Sequence, residues 1–114
     1  MLIRSTVIAG NPFVLCANVL DASGSAIQQN EISGISASSY DMDANITTWT
    51  ASGLEVSTCV YNDYQSDARS PYYNVAIPID DTACPTRGNT YQVLVTITPI
   101  VGEPFKVEAR IQAQ

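Results

Sequence analysis

The sequence predicts an all-β fold, a sandwich or barrel of six or seven short strands, on three observations. Apolar residues make up 46% of the 114 and charged residues 14%, enough for one packed core and too little charge for a solvating tail. Two stretches near the C-terminus alternate apolar and polar residues with period 2, the pattern of a strand buried on one face. Turn signals rich in Gly, Pro, Asn and Asp separate the remaining strand-like runs, and no amphipathic helix, repeat or heptad seam interrupts them. One domain spanning residues 1–114 is expected.

The elements are justified in chain order. "PFVLCANVLD" is expected to be a strand of about ten residues, with Phe13, Leu15, Ala17 and Val19 on one face. Its other face carries Val14, Cys16 and Leu20, which implies cover on both sides. "DASGSA" ends it in a turn around Gly24. "ISASSYDMD" is a strand of small residues, "DANITTWTASG" is either an edge strand or a loop, and "LEVSTCVYN" is a strand. "NDYQSDARSP" has no periodicity and is expected to be an exposed loop. "YYNVAIPID" places Tyr73, Val75, Ile77 and Ile79 together, and "ACPTRGN" is a connecting loop.

The last two strands can be set in register. "TYQVLVTIT" puts Tyr91, Val93, Val95 and Ile97 on one face, and "FKVEARIQA" does the same with Phe105, Val107, Ala109, Ile111 and Ala113. Placing Pro99 opposite Glu103 pairs Ile97 with Phe105, Val95 with Val107, Val93 with Ala109 and Tyr91 with Ile111, all on one side. Ile100, Val101 and Gly102 then form a three-residue loop with Gly102 at its left-handed position. Such a loop does not require apolar residues, so Ile100 and Val101 either fold back over the end of the domain or contact a partner.

Charge narrows the function classes. The net charge is −6, and the five cations, Arg4, Arg69, Arg87, Lys106 and Arg110, are scattered. Nucleic acid and anionic membrane surfaces both require clustered Lys and Arg, so neither is an expected partner. No apolar run reaches the roughly 18 residues of a membrane span. The N-terminus lacks the order of a signal peptide, because its charge follows two apolar residues and Asn11-Pro12 breaks the apolar stretch.

Catalytic and cofactor chemistry finds little support. There is no His, and Cys16, Cys59 and Cys84 form no C-x-x-C. Three thiols are expected, with Cys16 as a core filler and one intrachain disulfide as the alternative. Asp80-Asp81 and the pair Asp41 and Asp43 read as turn carboxylates. Asp41, Asp43 and Asn45 match the first three ligand positions of a calcium loop, but Ile46 and Ser52 stand where it needs Gly and Glu. No cofactor, metal or catalytic residue is expected. The disulfide-bonded immunoglobulin pattern also fails: Trp49 stands too far from Cys16, and "DTAC" has no tyrosine ahead of Cys84.

A wider resemblance does exist. "AGNPFVLCANVLDASGSAI", "YYNVAIPID" and "PTRGNTYQVLVTITPIVGEPFKVEARI" resemble the small immunoglobulin-like modules of tailed-bacteriophage virion proteins, most specifically from Thr86 to Phe105. The resemblance implies an immunoglobulin-like β-sandwich of about seven antiparallel strands ending in a C-terminal hairpin. It also implies a non-enzymatic structural role: a capsid decoration or cement protein binding neighbouring capsid subunits, the major capsid protein first among them, through loops and sheet edges. A tail, baseplate or head–tail connector accessory is the alternative. Longer adaptors and fibres continue into further modules, whereas this chain stops at Gln114, which favours the decoration role. The expected location is the virion, after synthesis in the host cytoplasm, with other copies of the chain admitted as partners. A bacterial carbohydrate- or protein-binding module is a separate expectation, for which Tyr61, Tyr64, Tyr72 and Tyr73 are the available aromatic platform.

Overall fold

Two sheets pack face to face. The structure, a computed structural model, describes residues 2–70 and 72–114. Met1 and Pro71, the latter the last residue of an expected loop, lie outside the described residues. One sheet has the order β1 (Leu2–Val7), β8 (Phe105–Ala113), β7 (Thr90–Pro99), β3 (Ile32–Asp41), β4 (Ile46–Ala51). The other has the order β2 (Phe13–Ala17), β6 (Tyr73–Ile79), β5 (Val60–Gln65). The order β2–β6–β5 facing β8–β7–β3 is the B–E–D against G–F–C arrangement of an immunoglobulin-like sandwich. Eight strands occur among the described residues rather than about seven. Moreover, β1 runs parallel to β8 (Leu2 beside Glu108, Val7 beside Ala113), so the sandwich is not wholly antiparallel.

Alternation explains why these residues form these strands. The odd-numbered residues of β7 and β8 point inward, and the ladder pairs Tyr91 with Ile111, Val93 with Ala109, Val95 with Val107 and Ile97 with Phe105, as the periodicity predicts. On β6, Tyr73, Val75, Ile77 and Ile79 are all buried. Leu15 and Ala17 of β2 and Ile35 and Ala37 of β3 close the same core. Each fully buried Val or Ile contributes roughly 1.5–3 kcal/mol.

Several expectations need correction. The strand β2 is five residues long. Its outer face is open, with Val14 and Leu20 exposed and Cys16 half-buried. "LEVSTCVYN" divides into one helical turn, α1 (Val56–Cys59), and β5, because Glu55 O accepts from the amides of both Thr58 and Cys59. The segment 46–51 is the edge strand β4. No tyrosine stands just ahead of Cys84, as expected, but Tyr91 behind it lies at the start of β7, and its buried hydroxyl accepts the Thr86 amide at 2.8 Å and ties the start of that strand to the loop before it.

The hairpin tip differs most. The β7–β8 ladder ends at Ile97 and Phe105, and Pro99 pairs with Ile32 on β3, not with Glu103. Pro99 and Pro104 have no amide hydrogen with which to extend the ladder, so the connection opens into a wider loop. The Ile100 amide donates instead to Glu31 O at 2.8 Å. Gly102 does take a positive φ, 107°, as expected.

Candidate functional site

The open tip forms one wall of a groove at the end of the sandwich. Its opposite wall is the β2–β3 connection, which Asn74 anchors. The buried Asn74 side chain accepts the Val19 amide (2.8 Å) and donates to Val19 O (2.9 Å), satisfying both backbone groups as a neighbouring strand would. Beyond Val19, Leu20 and Ala26 form an isolated bridge around a turn closed by Asp21. Its carboxylate accepts from the Ser23 hydroxyl (2.6 Å) and from the amides of Ser23 (2.9 Å) and Ser25 (3.0 Å). The Ser23 hydroxyl, followed by the Ser25 amide, holds the Asp21 carboxyl below its usual pKa. A 3-10 turn, Gln29–Glu31, completes the rim.

These segments enclose an open groove of about 900 Å³. Leu20, Pro99, Ile100, Val101 and Phe105 give it an apolar lining, and Asp21, Glu31 and Glu103 place three carboxylates around it. None of its lining residues is Lys or Arg. Ile100 is 64% exposed, Val101 87% and Leu20 46%, so the tip does not fold back over the core. A second depression of about 480 Å³ adjoins it at Asn30 and is lined mainly by amides and by Val56 of α1. Three of those amides are engaged with backbone: Gln28 Nε2 donates to Asn62 O (3.1 Å), Gln29 Nε2 to Val60 O (2.7 Å), and Asn62 Oδ1 accepts the Gln29 amide (2.8 Å).

The other candidates from the sequence lie elsewhere, and most are engaged in structure. Asp41 is buried at the end of β3, where its carboxylate accepts the amides of Asp43 and Ala44 (both 2.9 Å) and the Asn89 side chain (2.9 Å). Burial pushes its pKa up, but the Ala44 amide, Asn89 and the Asp43 amide together outweigh that and hold it low. Asp43 accepts the Thr90 amide (2.7 Å), and Asn45 adopts φ 57° in the same turn. These groups cap a β3–β4 turn. Among the described residues no group of three or more Cys, Asp or Glu could hold a metal ion. Asp80 accepts the Thr82 hydroxyl (2.7 Å), and Asp81 is exposed beside it. All three cysteines are free, Cys59 and Cys84 are buried, and burial raises all three thiol pKa values, Cys84 to about 11.

No family model matches the chain, and no curated protein matches it in sequence.

The tyrosines separate into two pairs. Tyr61 meets Tyr73 edge-on at 5.8 Å between centroids, and Tyr64 stacks on Tyr72 at 4.0 Å. Asp67 accepts from both the Tyr73 hydroxyl (2.6 Å) and Arg69 (3.0 Å), and the Arg69 guanidinium lies 5.3 Å from the Tyr73 ring centre. The Tyr73 and Arg69 bonds hold the Asp67 carboxyl well below the usual carboxylate range. Tyr72 alone of the four is exposed, at 56%.

Of the residues singled out for partner contact, Ile100 and Val101 share one site. Leu20 joins them although the sequence places it on the far face of a long strand. Nothing local marks this shared lining, whose residues lie some eighty positions apart in the chain.

Proposed function

We propose that the protein is a non-enzymatic structural subunit that docks through this loop end onto a neighbouring protein of a phage virion. The observation that carries the docking role is the exposed apolar cluster of Leu20, Ile100 and Val101 on an open groove. Large apolar side chains held this far into water gain most by burial in a partner. The virion setting rests on the resemblance of "PTRGNTYQVLVTITPIVGEPFKVEARI" and its companions. Within it, capsid decoration with the major capsid protein as partner is the leading role. A tail, baseplate or head–tail connector accessory is the alternative, and sheet edges add further contact.

Localisation in purified particles tests the setting. Copy numbers on the order of hundreds indicate a capsid role, a ring of about six or twelve indicates the tail, and absence from the particle removes the virion reading. The pair Ile100→Ser and Val101→Ser tests the docking surface. Both sites are exposed, so the isolated domain should keep its stability within about 0.5 kcal/mol per site while particle binding is lost. A large drop in melting temperature combined with normal assembly would assign the tip to the fold instead.

One observation favours a second reading, carbohydrate binding: the exposed Tyr72 ring backed by Tyr64 offers an apolar face to a sugar. Glycan-array binding that Tyr72→Ala abolishes, with Ile100→Ser and Val101→Ser silent, would move the function to that surface.

A further inference from the structure

The charges around the groove select the chemistry of what docks there. We propose that it takes a polypeptide segment in which an apolar side chain is flanked by Lys or Arg. This rests on the docking role proposed above and adds the character of the partner. Leu20, Ile100 and Val101 supply the apolar contact, and Asp21, Glu31 and Glu103 surround it. The ion pairs among the described residues are Arg69 with Asp67 and Arg110 with Glu108, so none of the three groove carboxylates has an internal counter-charge. Asp21 is held ionised by its own turn. Glu31 is held beside the tip because its carbonyl accepts the Ile100 amide.

A wholly apolar partner would bury this lining but strip water from the carboxylates without compensation. An acidic segment, or an anionic lipid surface, would meet like charge both at the rim and across a molecule of net charge −6. An apolar anchor with basic flanks satisfies both parts of the groove. It buries the apolar side chains at the centre and places its cations at the solvent-exposed edge, where they speed encounter and exclude acidic competitors.

Three capped hexapeptides, alternating Leu with Lys, with Ser or with Glu, serve as probes of the full-length protein. Methyl NMR shifts at Leu20, Ile100 and Val101 give the affinity of each. The Leu–Lys peptide should bind at these methyls about fivefold tighter than Leu–Ser, and Leu–Glu should not bind. The double variant Glu31→Gln, Glu103→Gln should bring Leu–Lys close to the Leu–Ser affinity with an unchanged melting temperature. The pair Ile100→Ser and Val101→Ser should weaken both peptides. Equal affinity for Leu–Lys and Leu–Ser, lost only in the Ser variant, would overturn the basic-flank proposal and leave docking intact. Groove methyls that move with none of the three peptides, or Leu–Lys shifts confined to other surfaces, would overturn both.

Discussion

Single side chains hold the two ends of this sandwich in different ways. Asn74 does the work of a missing strand, because its amide satisfies both the N–H and the C=O of Val19 in a buried setting. Asn74→Ala leaves the buried Val19 amide unpaired and Val19 O with only the longer bond from the Ile27 amide (3.3 Å), and should cost about 1–3 kcal/mol in urea unfolding. Asn74→Asp keeps the acceptor but loses the donor, so its midpoint should lie clearly below that of the wild type. If Asn74→Ala unfolds at the wild-type midpoint, the Val19 amide has another partner and the groove wall is not anchored here. At the opposite end, Asp41 couples the fold to pH. Its pKa is depressed in the folded state, so its contribution is fully present above the unfolded value near 3.9 and is lost as pH falls through the folded value. Stability should therefore drop below about pH 4, and Asp41→Asn should flatten that part of the profile. An unaltered acid limb in Asp41→Asn would exclude Asp41 as its source.

Elements differ in how plainly the sequence announces them. The paired strands β7 and β8 were legible down to register, because Val93, Val95 and Ile97 alternate with polar residues, a one-residue slip would turn Val107, Ala109 and Ile111 to the other side, and the short connection limits larger shifts. The first strand was not, because "LIRSTV" is half-exposed and takes its place only through a parallel partner at the far end of the chain. The helical turn at Val56–Cys59 reads as strand in the sequence. Val56, Cys59 and Val60 carry helical spacing, while Leu54, Val56 and Val60 fit alternation equally well over so short a run. The groove was half legible: Ile100 and Val101 stand out as apolar residues in a turn, but its other wall, from Leu20 to Glu31, meets that turn only through the long-range pairing of Pro99 with Ile32. Hydrogen exchange checks this ranking of elements. Amides of β7, bonded between β3 and β8, should exchange slowest, and the outward amides of the edge strand β1 fastest among the strands. Equal protection of β1 and β7 would mean that the parallel edge is covered in solution.

At the scale of the whole molecule, the radius of gyration of 13.9 Å is close to the roughly 13 Å of a compact chain of this length. Whether the two sheets open together can be read from the thiols. Cys59 precedes Val60, which pairs with Val75 near the start of β6, while Cys84 lies in the loop beyond the end of β6. The two therefore mark opposite ends of the sandwich. Both are buried, and burial raises both thiols above their usual pKa, so neither has the exposed thiolate needed to attack a disulfide reagent. Cys16, half-buried on the open face of β2, is the accessible one. With an aromatic disulfide reagent at about pH 8, the native protein should release one equivalent slowly, and the guanidinium-denatured chain three at once. If the molecule unfolds as a unit, Cys59 and Cys84 should be labelled at the same rate, and Asn74→Ala should speed both by the same factor. Faster labelling of Cys59 alone would show that the groove end opens independently of the rest. Docking would then bind the closed form preferentially, and the Leu–Lys peptide should slow Cys59 labelling without changing that of Cys84.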